Sequence, residues 1–318
     1  TVILKFSPSS PLQVRSHFLP VPHSEHRLHV KAFLPLSGEV PKASVFLLHG
    51  AIEDGRIFYS QSGKGFAPFL AQAGYAVYVL DLRGRGLSHP AIDKFSQHGQ
   101  KETILEDIPQ TLRWIQKRHP KLPMVWGAHS WGGVLISCVL ARFPEWLDRL
   151  DALLFFGSKR RVAAPTWQRR VHIGLVWNLM GFGITRALGY LPGAKLGLGS
   201  DSETRQSHAD SVRWVKSKAW QDSDGFDYAK TLQSMTLPRQ LHLAGPWDYA
   251  LGHPEDVLRF KAELGDGPQS QYLLLSRQHG FRYNYGHIDM LTPPEAPQDH
   301  FPEILRWLEE KPEAKSHL

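Results

Sequence analysis

The stretch that decides the fold reads Pro123-Met124-Val125-Trp126-Gly127-Ala128-His129-Ser130-Trp131-Gly132-Gly133. It opens on an apolar run that suits a strand, and a helical pattern follows at once over residues 131–143. Between the two lies a serine with small residues, Ala128 and Gly132, two positions to either side. A strand, such a serine and then a helix make a nucleophile elbow. The turn is sharp and its backbone strained, and the flanking chains pass close together, so only small side chains fit beside it. The helix that starts there also aims its first N–H groups at the site, which favours a developing negative charge. Ala128 stands where the motif has its first Gly, a departure that is still small enough to fit. The plainer alternative is that Ser130 only caps the helix.

Working outward, apolar runs alternate with helical patterns. Strands are expected over residues 28–34, 44–49, 75–81, 123–129, 152–157, 240–244 and 271–276. Continuous runs such as Val45-Phe46-Leu47-Leu48 and Val77-Tyr78-Val79-Leu80 suit strands covered on both faces of a parallel sheet. Helices are expected over residues 65–73, 103–118, 131–143, 254–264 and 302–309, with Pro109 bringing a kink or a late start to the second. The alternation argues an α/β fold with a mostly parallel sheet. It breaks over residues 158–237, which hold four of the ten Trp, many Gly and no strand-like run, and read as inserted helical hairpins.

With these elements in place the chain resembles the α/β-hydrolase superfamily from about Arg15 to Glu309. The resemblance implies an eight-stranded, mostly parallel sheet flanked by helices, with a helical cap inserted after strand 6. The core is then residues 1–157 and 238–318, and the cap residues 158–237. His49-Gly50-Ala51 follows the strand at 44–48, where the superfamily shapes its oxyanion hole; by that resemblance the N–H groups of Ala51 and Trp131 would hold the oxyanion. The imidazole of His49 reads as structural. Asp81-Leu82-Arg83-Gly84-Arg85-Gly86-Leu87-Ser88 looks like a turn common in the superfamily and also reads as structural. No Gly-rich loop runs into a helix through a Lys-Ser or Lys-Thr ending, so phosphate binding is a poor reading.

The resemblance also implies the catalytic order Ser130, Asp248, His287. His287 would take the serine proton, and Asp248 would hold the imidazole in the right tautomer. Rivals stay open: His279 for the base, and Asp289 for the acid, although Asp289 more naturally fixes its own loop. Asp148 and Asp151 fall at the wrong end of a strand. Trp177 in the cap, and Trp247 and Tyr285 beside the acid and base, are the candidates for substrate contact.

Composition narrows the rest. The 318 residues carry one cysteine, Cys138, which rules out an intramolecular disulfide and suits a reducing cytoplasm, the compartment expected. No apolar run reaches the length of a membrane span. No Cys ligand set or His-Glu-x-x-His occurs, so neither a metal nor an organic cofactor is expected. The net charge is +7, and residues 158–200 alone supply seven basic and no acidic side chains. Such a segment suits weak contact with an anionic membrane surface, or is simply a solvated basic face; nucleic acid is not an expected partner. The reading is a serine hydrolase that cleaves carboxylic esters carrying an apolar group, on a small-molecule or lipid-like substrate. A thioesterase or lactonase, an acyltransferase, and a non-catalytic binding protein of the same fold are the alternatives.

Overall fold

A computed structural model describes residues 12–36, 40–265 and 267–310. The main sheet has eight strands: β1 (Leu12–Pro20), β2 (Arg27–Pro35), β3 (Ser44–Leu48), β4 (Ala76–Leu80), β5 (Met124–His129), β6 (Leu150–Phe156), β7 (Arg239–Ala244) and β8 (Ser270–Leu274). They lie in the order β1-β2-β4-β3-β5-β6-β7-β8. β1 and β2 are antiparallel, β2 meets β4 antiparallel, and every pairing from β4 to β8 is parallel.

Alternate residues of the central strands enter two apolar layers. Phe46, Leu48, Trp126 and Phe155 face the helices Ile108–Arg118, Trp131–Arg142 and Pro254–Leu264. Val45, Leu47, Val125 and Leu154 face Phe66–Gln72 and Phe301–Glu309. Both faces are covered, which is why these strands read as unbroken apolar runs. β1 was not among the expected strands. Leu12-Gln13-Val14-Arg15 alternates only briefly before Ser16 breaks the pattern, and the strand's residues are mostly exposed or half-buried.

Pro109 acts as expected, through its missing N–H. The turn before it, Thr103–Asp107, is wound wide, so that the Ile108 N–H donates to Thr103 O, five residues back. Regular helix follows from Ile108 with the proline in its first turn.

The insertion leaves after β6 and returns at β7. A helical stretch runs over residues 167–188, with Arg170–Met180 in the wide register. Tyr190–Leu191 then pairs with Glu203–Thr204, a short hairpin where no strand was expected. The helices Arg205–Lys216 and Tyr228–Gln233 complete it. Among the described residues no helix is long and apolar enough to cross a membrane.

Candidate active site

The loops that leave the carboxyl ends of β3, β5, β6, β7 and β8 converge on one cavity, where ligands of open α/β sheets bind. Ser130 follows β5 with φ 52° and ψ −121°, a strained conformation for a residue with a side chain. The small neighbours earn their place. A Cβ on Gly132 would lie 2.5 Å from His49 O, and one on Gly50 would lie 2.9 Å from Ser130 Cβ. Trp131 opens the following helix, so its N–H has no partner one turn back, and with Ala51 it lines the cavity beside Ser130.

His287 Nε2 lies 2.8 Å from Ser130 Oγ, and His287 Nδ1 lies 2.5 Å from Asp248 Oδ2. All three side chains are buried. Asp248 Oδ1 also accepts from the Leu251 N–H at 2.9 Å. Burial alone would raise the Asp248 pKa, but His287, Lys159 and a Gly252 backbone bond hold it at about 2. Burial pushes His287 below its ordinary value, against the pull of Asp248, so near neutral pH the ring is the free base. The structure thus brings together the serine, histidine and aspartate expected from the chain order.

The rivals stand elsewhere. His279 is exposed and bonds Ser276 Oγ at 2.7 Å. Asp289 accepts the Gly286 N–H and so ties its own loop. His49 is fully buried; its Nδ1 donates to Gly50 O at 2.8 Å and its Nε2 accepts the Leu82 N–H at 3.1 Å, a structural role. Asp81 accepts from Gly55 N–H, Leu87 N–H and His29 Nδ1, whereas Arg83 pairs with Asp107 and Glu106. Arg85 pairs with Glu203, and the Gly86 N–H donates to Asp201 at 2.6 Å, so this turn also holds the insertion.

The cavity is about 1080 Å³, room for a substantial acyl chain. Trp177 lines it with Ile173, Val176 and Val215. Trp247 and Tyr285 do not, which corrects the expectation for both. Trp247 points to solvent, 57% exposed, and Tyr285 is buried with its hydroxyl donating to Asp299. Their backbones matter instead. The Trp247 N–H donates to Tyr285 O at 3.0 Å, and a Cβ on Gly245 would collide with that carbonyl. This close seam sets the loop of Asp248 against the loop of His287.

Two features escaped the sequence. Glu53 Oε2 accepts from the Gly50 N–H and from His129 Nδ1, both at 2.8 Å, while His129 Nε2 lies 3.0 Å from His287 O. The Glu53–His129 pair therefore links the loop at Gly50 to the backbone of His287. Burial would raise Glu53, but His129 draws it down to about 2. The second is Lys159. It is 6% exposed, and its Nζ lies 2.8 Å from Ser130 Oγ. Only the position after β6 could have hinted at it, because in sequence it is one of seven basic residues.

A model of the family described as serine aminopeptidase, S33, matches residues 39–209, more than half of the chain. The chain belongs to this hydrolase family. The S33-family protein also shares its fold with solved structures. An esterase from Thermogutta terrifontis superposes with TM-score 0.56 at 17% identity, covering 93% of this chain and 100% of the other. The carboxylesterase CesB from Bacillus subtilis gives 0.57 at 16% identity, over 94% of this chain and 93% of the other. The thioesterase domain from the curacin biosynthetic pathway gives 0.53 at 15%, over 94% and 100%. No curated protein matches the S33-family chain.

Proposed function

We propose that this hydrolase cleaves carboxylic esters with an apolar acyl or alkyl group through an acyl-enzyme on Ser130. The observation that carries the reading is the unbroken relay Ser130 Oγ, His287 Nε2, His287 Nδ1, Asp248 Oδ2, with separations of 2.8 and 2.5 Å. As Oγ bonds to the ester carbon, its proton passes to His287 Nε2. The carbonyl electrons move to oxygen, facing the N–H groups of Ala51 and Trp131. The leaving alcohol takes the proton from His287, and water repeats the sequence to free the acid.

The lining supports an ester over a peptide with a free amino terminus. An ammonium group needs a carboxylate partner, and Glu53 is the one acidic residue among the lining residues. It is already engaged by Gly50 and His129. Arg56 and Lys64 would instead repel or compete with a cation.

The helical stretch at 167–188 supports a lipid-like substrate met at an anionic surface. Its inner side places Ile173, Val176 and Trp177 in the cavity, while Trp167, Leu175, Leu179 and Phe182 stand exposed on it. A helix apolar all round suits burial on both sides. Arg170, Arg186 and Lys195 are exposed, and residues 158–200 hold no acid to oppose an anionic headgroup.

The test is hydrolysis of para-nitrophenyl esters of graded chain length beside alanine para-nitroanilide. Esters should be cleaved, with medium chains preferred to acetate. Ser130→Ala and His287→Ala should each lose at least about 10³-fold, and His279→Ala should keep its rate. Preference for the anilide would overturn the ester reading.

A further inference from the structure

Ser130 Oγ has two nitrogen neighbours, His287 Nε2 and Lys159 Nζ, each at 2.8 Å. Counting protons assigns their roles. The ionised Asp248 accepts from His287 Nδ1, so a neutral ring leaves Nε2 with only a lone pair, and that nitrogen must accept the single hydroxyl proton of Ser130. The contact with Lys159 therefore runs the other way. Nζ donates to Oγ, and ammonium or amine alike has a proton to do so.

We propose that Lys159 is a further catalytic residue, a fixed donor that stabilises negative charge on Oγ as the serine departs from the acyl-enzyme. The inference rests on Ser130 being the nucleophile. Two observations and one general argument support it. Among the described residues the only hydrogen-bond partner of Nζ is Ser130 Oγ. The backbone around it is clamped: Arg160 bonds Glu263 and the carbonyls of Trp214 and Ser217, and Asp256 accepts from the N–H groups of Ala163 and Ala164. And the fold has no need of an amine there, because a buried charge costs stability that an apolar side chain of like volume would spare. Burial lowers the Lys159 pKa, against the opposing pull of Asp248, Glu53 and Asp256.

In deacylation, water attacks the acyl carbon and passes a proton to His287 Nε2. The tetrahedral oxyanion re-forms its carbonyl, the bond from carbon to Oγ breaks, and its electron pair goes to Oγ. Oγ then takes the proton from His287. Lys159 keeps its own proton throughout, and its hydrogen bond strengthens as the pair arrives. In acylation the same bond eases deprotonation of Oγ but blunts its attack, so its benefit is concentrated in deacylation.

The experiment uses para-nitrophenyl dimethylcarbamate, whose carbamoyl-enzyme turns over slowly enough to separate the steps. The nitrophenol burst reads acylation, and recovery of activity reads deacylation. Lys159→Met should recover about ten- to a hundredfold more slowly, as loss of a charge-assisted hydrogen bond predicts, with a smaller change in the burst rate. Lys159→Gln, which keeps a neutral donor, should fall between, and carries the same test should Lys159→Met not fold. Recovery at the wild-type rate in a folded variant would overturn the proposal. So would equal loss in both steps, which would make Lys159 a base or a structural residue. Wild type that takes neither carbamate nor fluorophosphonate would instead defeat the reading of Ser130.

Discussion

The two halves of the insertion behave as different materials. The second half is core. Trp214, Trp220, Tyr228 and Leu232 are fully buried in the same apolar layer as Trp126 and Phe155 of the sheet. Trp214 lies over Trp131, next to Ser130 in the chain, with ring centroids 6.4 Å apart. Ion pairs from Arg85 to Glu203 and from Arg142 to Asp222 tie this half down. None of the residues at 167–188 belongs to either core layer. That stretch is held to the second half by a few polar bonds, such as Trp177 Nε1 to Ser211 Oγ at 3.3 Å and His208 Nε2 to Trp177 O at 2.9 Å. One half supports the helix that follows Ser130; the other is a wall that faces both the cavity and the outside.

The contrast can be broken most forcefully at Trp214. Trp214→Ala should cost about 3–5 kcal/mol, the usual loss for a buried large aromatic, seen as a lower midpoint in chemical denaturation. Leu179→Ala, on the exposed side of the first half, should stay within about 0.5 kcal/mol. Equal losses would mean that the two halves form one unit.

Acid should act on the core in the same selective way. Burial holds His242 at about 3 and His300 at about 4, so each is neutral in the fold where the unfolded chain protonates below 6.5. The unfolded state then binds more protons, and stability falls as pH falls. Asp107, raised to about 6 by burial, works in the opposite sense. His98, also held at about 3 by burial, adds to the loss, so stability should fall by at least about 2 kcal/mol between pH 6.5 and 5, measured by denaturant titration at the two pH values. Below about pH 4, protonation of Glu53 and Asp248, whose pKa values are depressed to about 2, should add to it. Unchanged stability across that range would contradict the buried neutral histidines.

The smallest effect on the fold and the sharpest on behaviour belongs to the outer wall. Paired Leu179→Asp and Phe182→Asp changes should leave the melting temperature nearly unchanged and abolish sedimentation with vesicles of phosphatidylglycerol at low salt. Wild type should bind these vesicles and release them at high salt. No binding by wild type would leave the basic segment a solvated face.

How much of this was legible in the sequence follows from where the information sits. The central strands β3 to β7 announce themselves because both their faces are buried; β1, at the edge and half-exposed, has no such signature. Ser130, Asp248 and His287, which the structure brings together, were legible as candidates because each follows a strand in the order this fold uses. Lys159 and Arg160 were not, because a buried cation and a solvated one are the same letter. The seven basic side chains of residues 158–200 therefore include one whose nitrogen contacts the serine and one locked to Glu263. Glu53 with His129 needed two distant loops in contact, which no spacing reveals. Trp247 and Tyr285 misled because aromatic residues beside catalytic positions suggest walls, whereas here their backbones form the seam.

The central claim is that Ser130 is the nucleophile, and covalent labelling reads it most directly. The intact protein is treated with a fluorophosphonate, digested, and the adduct located by mass spectrometry. A stoichiometric adduct on the peptide carrying Ser130, absent from His287→Ala, is the predicted result. An adduct on another residue, or none on the folded protein, would contradict it.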